Sequence, residues 1–266
     1  MNMKSVLVAM SLVAQIPLAY ALDVGAADAL FARRGEGDRL ANTRAARVAY
    51  EQLLASAGTS ARVHVVNMLN RLDFYEGILL TSSDAKKALY KACLNRTDTL
   101  ARDSVEYFYW RGICLGMWAN EEGLLTALKS TGEVEKLLQE GRSKDARFDG
   151  GGFDRGLGFV YLKVPLINPY GPTRSAEKAL ACADRAIASA AYPGEPDPST
   201  STGEYFYNAY DVRAQALIQL GRKQEALETL QDAIARIEQG DLPAGREPET
   251  LEILRDLKNT LGSISR

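Results

Sequence analysis

Residues able to do covalent or acid–base chemistry are sparse in this sequence. Its one histidine, His64, stands between Val63 and Val65, and a lone histidine among apolar helix residues reads as structural or surface rather than as a catalyst. No G-x-S-x-G nucleophile elbow occurs. One histidine with scattered cysteines makes no metal set. Carboxylate pairs such as Glu121–Glu122 and Glu133/Glu135 read as solvated helix faces, and nothing brings two of them into one cleft for acid–base work. The expectation is a protein that is not an enzyme, without cofactor or metal. Three cysteines, Cys93, Cys114 and Cys182, include no C-x-x-C pair. In an oxidising compartment one pair could close, and Cys93 with Cys114 is the nearest in sequence. The preferred expectation is three small buried residues in helix–helix contacts.

The least generic stretch is Asp149–Thr173, DGGGFDRGLGFVYLKVPLINPYGPT, which holds three of the nine prolines. Three glycines before a helix invite a phosphate-loop reading, but the spacing rejects it. G-x-G-x-x-G from Gly150 needs glycine where Arg155 stands, and the longer P-loop pattern from Gly151 reaches Gly156 but is followed by Leu157 and Gly158. Non-covalent binding has more to draw on. Trp118, Asn120, Arg155, Tyr161, Asn168 and Tyr170 combine apolar area with donors and acceptors, as a concave site for a small ligand or peptide requires. The loop Pro165–Pro172 is expected to be stiff because its prolines fix φ. It is expected to hold Asn168 and Tyr170 over a groove lined by Trp118 and Tyr161. Arg155 has a second reading, a salt bridge to Asp149 or Asp154 that anchors the glycine turn.

The elements that would position these residues are helices in pairs. Leu157-Gly158 and Tyr161 match the first helix of a tetratricopeptide (TPR) repeat, and Ala179, Ala183 and Ala186 match the second. The connection between them is about twice the regular length, and the excess is the proline loop. The same spacing appears in Ala46, Tyr50, Leu53; in Ala85, Leu89, Ala92; and around Trp110, Ile113, Cys114 and Met117. It is cleanest in Tyr210, Ala214, Leu217, Gly221, Ala226, Leu230 and Ala233. The expected fold is an all-α, right-handed helical-hairpin solenoid (TPR-like) of about five hairpins, closed by a capping helix near Pro248–Ile264. It would be a single domain over 22–266, with its least structured part at 192–204.

The chain's 32 basic and 34 acidic residues give a net charge of −2. Without a basic stripe or aromatics interleaved with lysine and arginine, nucleic acid is excluded as a partner. Residues 1–21 read as an export signal: Lys4, an apolar run from Val6 to Ile16, Pro17, and Ala19-Tyr20-Ala21 as the cleavage site. The run is too short for a stable membrane span. No cysteine stands at the cleavage point, so no lipid anchor is expected.

The series YFYWRGICLGMWAN, RFDGGGFDRGLGFVYLKVP and, after the proline loop, AEKALACADRAI resembles exported TPR-like proteins of the T-component (TatT) family of tripartite ATP-independent periplasmic (TRAP) transporters. The likeness runs from about Asp28 to Ile237, and its most specific part is Gly151–Pro165. It implies a helical stack in the bacterial periplasm working beside a transporter's substrate-binding component. Many members are lipoproteins, from which this chain departs. The partner expected is thus that protein component, or else a small apolar ligand or peptide, with self-association left open. The alternative is a hydrolase-like periplasmic enzyme with a cleft under the 165–172 loop.

The cleavage site makes one direct prediction. N-terminal sequencing of the protein from its native cell should begin at Leu22, and an intact Met1 on cytoplasmic protein would overturn the export reading.

Overall fold

Side-chain caps set several helix starts. Asp38, Ser82 and Ser104 each accept a hydrogen bond from the backbone N–H three residues on, at 3.1, 3.3 and 3.1 Å, satisfying a donor that the first helical turn leaves unpaired. A computed structural model describes residues 24–190, 206–240 and 247–264. Its helices are α1 (Val24–Ala32), α2 (Arg39–Ser56), α3 (Thr59–Leu79), α4 (Ser83–Arg96), α5 (Val105–Glu122) and α6 (Leu124–Lys144). They are followed by α7 (Phe148–Lys163), α8 (Ala176–Ala190), α9 (Phe206–Gln219), α10 (Lys223–Glu238) and α11 (Glu247–Ile264). No strand occurs among the described residues. The signal segment 1–21 and the whole of the 192–204 stretch lie outside them.

Each helix packs on its neighbours in sequence, and from α3 onward each odd-numbered helix also touches the next odd-numbered one. The odd helices thus build one wall and the even helices a second layer, the arrangement of an α-solenoid. No helix among the described residues is long and apolar enough to cross a membrane.

The alanine positions read from the sequence are buried where expected: Ala46 on α2, Ala179, Ala183 and Ala186 on α8, Ala226 and Ala233 on α10. Gly158 lets α7 and α9 approach closely, since an added Cβ would come 2.8 Å from Val212 on α9. One expectation shifts. On α4, Ala85 and Leu89 are half-buried and Ala92 is exposed, while Tyr90, Cys93 and Leu94 face inward. The buried stripe is one residue out of step with the repeat.

Cys93 explains that shift. It is disulfide-bonded to Cys114 of α5, with the two Cα atoms 5.7 Å apart. The expectation of three plain buried thiols therefore holds only for Cys182. Burial pushes the Cys182 thiol up to about 11, against the pull of Arg185 beside it, so the thiol stays protonated and poorly nucleophilic at neutral pH.

Phe108, Tyr109, Trp110 and Phe153 form the centre of the largest core cluster, with the Tyr109 ring in edge contact with Trp110, Phe148 and Phe153 at centroid distances of 5.0, 5.2 and 5.4 Å. At the far end, α11 meets the segment after α1. Arg34 and Glu249 are both fully buried and doubly bonded, with Arg34 Nε 2.8 Å from Glu249 Oε1. Arg39 pairs with Glu252 a turn further along. The segment after α1 and the last described helix are thus joined by a buried ion pair.

Removing one partner of such a pair strands the other. Glu249→Gln should lower unfolding stability by about 3–5 kcal/mol, measured by urea denaturation. A change below about 0.5 kcal/mol, the range of an ordinary surface substitution, would mean that the ends are not held this way.

Candidate functional site

The glycine run proves to be a backbone device. Asp149, Gly150 and Gly151 take φ values of 51, 57 and 79°, three consecutive left-handed residues at the start of α7. Glycine adopts that region freely, and aspartate tolerates it better than most residues. The turn aims the Asp149 carboxylate inward. There it accepts hydrogen bonds from Tyr109 Oη at 2.6 Å, Arg155 Nη2 at 2.6 Å and Arg71 Nη2 at 3.3 Å. Arg155 Nη1 also donates to the Gly150 carbonyl at 2.6 Å. Burial, and next the Asp149 charge, pushes the Tyr109 phenol well above its ordinary pKa, so it remains a donor. Arg155 thus follows its second reading and anchors the turn, with Asp149 as its acid. Asp154 instead serves Arg142 and Arg185.

The six candidate residues do not converge. Arg155 lines a small apolar cavity of about 80 Å³ on the odd-helix wall, with Phe74, Tyr109, Ile113, Phe159 and Asn208. Trp118 turns away toward α4, where Lys91 Nζ lies 4.3 Å from its ring. Tyr161 faces the side shared by α6 and α8, and its hydroxyl donates to Glu135 Oε1 at 2.7 Å. Burial and then that hydrogen bond push its pKa up to about 12. The groove expected from Trp118 and Tyr161 under the proline loop is therefore not formed.

A different groove lies beside the loop. It has a volume of about 280 Å³ and is lined by Ala119 and Asn120 of α5, Leu124 and Leu128 of α6, Phe159 and Val160 of α7, and Pro165 among others. One residue, Gly123, connects α5 to α6 at φ 114°, a conformation that side-chain-bearing residues rarely adopt. So abrupt a turn leaves Leu124 without cover at the groove's end. Leu124 is 76 % exposed, and Leu166 and Ile167, which follow Pro165, are 72 % and 85 % exposed. With Leu125 and Tyr170 they are five of the nine large apolar residues exposed among the described residues. A concentration of this kind marks an interaction surface, whereas scattered exposed leucines mean nothing.

The loop is braced as well as exposed. Asn168 is buried; its Nδ2 donates to Thr131 Oγ1 at 2.8 Å and to the Pro172 carbonyl at 3.0 Å, while its Oδ1 accepts from the Tyr170 N–H at 3.1 Å. Its amide is spent on the fold, which leaves Asn120 as the expected residue that brings a polar group to the groove without a side-chain hydrogen bond of its own. Gly171 lies against α6 so closely that a Cβ there would sit 2.6 Å from the Gly132 nitrogen. Sequence reasoning missed Leu124, Leu166 and Ile167. The available signal was apolar residues placed in turn and proline-loop positions, where no buried stripe claims them.

No group of three or more potential metal-ligating side chains is found among the described residues. Comparison of the sequence with protein-family models and with curated proteins finds no match.

Asn168→Ala removes three hydrogen bonds and leaves Thr131 short of a donor. It should cost about 1–3 kcal/mol, read as a lower melting temperature. An unchanged melting temperature would show that the loop is not braced by Asn168.

Proposed function

We propose that this chain is a non-catalytic binding or adaptor protein whose partner docks an apolar segment in the groove between α5, α6, α7 and the proline loop. The observation that carries this reading is the exposure of Leu124, which lines the groove, and of Leu166 and Ile167, which follow Pro165 of its lining. The occupant is an extended apolar stretch of another protein rather than an enclosed small molecule. Pockets that engulf a drug-sized ligand have volumes of about 300–1,000 Å³ and bury most of its surface. The groove stands at the lower edge of that range, and its aliphatic residues face outward. Asn120 lies in the lining, exposed, and supplies an amide able to bond a peptide group.

The same reading takes the helix pairs as TPR-like and the protein as exported to the periplasm without a lipid anchor. On the resemblance described above, the partner is the substrate-binding component of a TRAP-type transporter. The loop braced on α6 then acts as a preformed rim, which keeps the ordering cost of docking small.

Leu166→Ser and Ile167→Ser alter side chains that contribute little to the fold, so stability should stay within about 0.5 kcal/mol of the parent. A photocrosslinking residue at position 170 should capture one dominant protein from the native periplasm. That capture should fall about tenfold or more in the double serine variant, the loss expected for a contact worth at least about 1.4 kcal/mol. Equal capture by parent and variant would refute the groove as the docking site. Capture of the transporter component would support the partner, and capture of an unrelated protein would overturn that part alone.

A further inference from the structure

Arg142 of α6 and Arg185 of α8 converge on a single carboxylate, Asp154 of α7. Arg142 Nε donates to Asp154 Oδ2 at 2.9 Å and Arg185 Nε to Oδ1 at 2.9 Å. Asp154 is buried, whereas both arginines are partly exposed. Arg185 Nη2 also reaches Asp154 Oδ1 at 2.8 Å and Cys182 Sγ at 3.1 Å. Held by their Nε edges, the two guanidinium groups keep Nη1 of Arg185 and both Nη atoms of Arg142 without a hydrogen-bond partner among the described residues.

These groups line a polar groove of about 390 Å³ between α6, α7 and α8, together with Gln139, Tyr161 and Lys178. Lys178 is exposed; its Nζ lies 5.2 Å from the Tyr161 ring and forms no ion pair among the described residues. It stands seven residues before Arg185, two helical turns away on the same face of α8. Two guanidinium groups therefore share the buried Asp154 carboxylate, and the Lys178 ammonium stands in the same lining. The Glu135 carboxylate, on α6 outside the lining, accepts from the Tyr161 hydroxyl, which leaves its charge in place, so the three cations exceed the two carboxylates by one. The two guanidinium groups tie α6 and α8 to α7 through Asp154, but that role uses only part of their donors and does not involve the Lys178 ammonium.

We propose that this groove binds a tetrahedral oxyanion of the phosphate type, either as the free ion or as the headgroup of an anionic phospholipid. A carboxylate ligand has its two oxygens in one plane, a shape that one guanidinium fork matches. Two guanidinium edges and an ammonium, offering donors from separate directions and a positive surplus, match a phosphate group instead. Asp154 is the positioning residue: it fixes both arginines before the anion arrives, so little side-chain freedom is lost on binding. The groove uses a different face of α7 from the apolar groove beside the proline loop, and the two readings stand or fall separately.

The test is titration calorimetry of the full chain with sodium phosphate, against sodium chloride at matched ionic strength. A second arm is co-sedimentation with phosphatidic acid vesicles, against phosphatidylcholine vesicles. Saturable phosphate binding that weakens with rising salt, and that falls about tenfold or more in Lys178→Gln and in Arg185→Gln, supports a site for the free ion. Vesicle binding lost in the same variants, with no heat from phosphate alone, supports the headgroup. Binding in neither arm, or binding of undiminished strength in both variants, overturns the proposal. Should Arg185→Gln fail to fold because Asp154 loses a partner, Lys178→Gln carries the test, since that side chain has no ion pair to lose.

Discussion

The rest of the structure depends on the burial of one charge, the carboxylate of Asp149. It collects a tyrosine from α5, an arginine from α7 and an arginine from α3, so three successive odd-numbered helices meet at one pair of oxygens. A buried carboxylate has to be paired and hydrogen-bonded or it does not stay ionised, and three donors meet that condition. The left-handed turn at Asp149–Gly151 exists to place it, and the turn in turn fixes where α7 begins. The cavity lined by Tyr109 and Arg155 is a consequence of this knot, and at about 80 Å³ it is too small to be more than a seam in the wall.

The same device recurs along the stack. At the start of the stack a more exposed carboxylate, Asp28, receives Tyr50 and contacts His64, tying α1 to α2 and α3. Asp73 receives Arg47 and Arg96, tying α3 to α2 and α4. Asp154 joins α6 and α8 through α7, and Asp211 accepts from Thr260 to join α9 to α11. Glu249 closes the series against Arg34. Faces built of alanine, glycine and leucine allow close approach but specify register poorly, because neighbouring small residues are nearly interchangeable. Charged pairs are directional and, once dry, penalise every misalignment. They contribute modestly to total stability and strongly to the choice of one packing.

The repeat spacing made the layers legible in advance, because period and small-residue positions are local properties. The α9–α10 hairpin and the alanines of α8 came out residue for residue. On α4 the spacing failed by one position because Ala92 and Cys93 are both small, and only the partner Cys114 distinguishes them. The polar interior of α3 was not legible at all. Asn67, Asn70, Arg71, Asp73 and Glu76 are all buried, yet in the sequence they look like a solvated face, and their partners lie as far as 78 residues away. The candidate site divided for the same reason. Helical phase says which residues share a face, but not which neighbour that face meets, so Trp118 and Tyr161 were assigned to a groove they turn away from. Asn120 reached a groove, and Asn168 became part of its brace.

The distinctive stretch from Asp149 to Thr173 thus divides into a buried half that sets the helices and an exposed half available to a partner. A double-mutant cycle between Asp149→Asn and Arg71→Met is the most direct measurement of that division. Asparagine keeps the tolerance for the left-handed turn while removing the charge, so the cycle isolates the interaction between α3 and the turn. The expected coupling is about 1–3 kcal/mol in equilibrium unfolding. Additivity within about 0.5 kcal/mol would show that Asp149 does not hold the wall together, and that the glycine motif is there for something other than the fold.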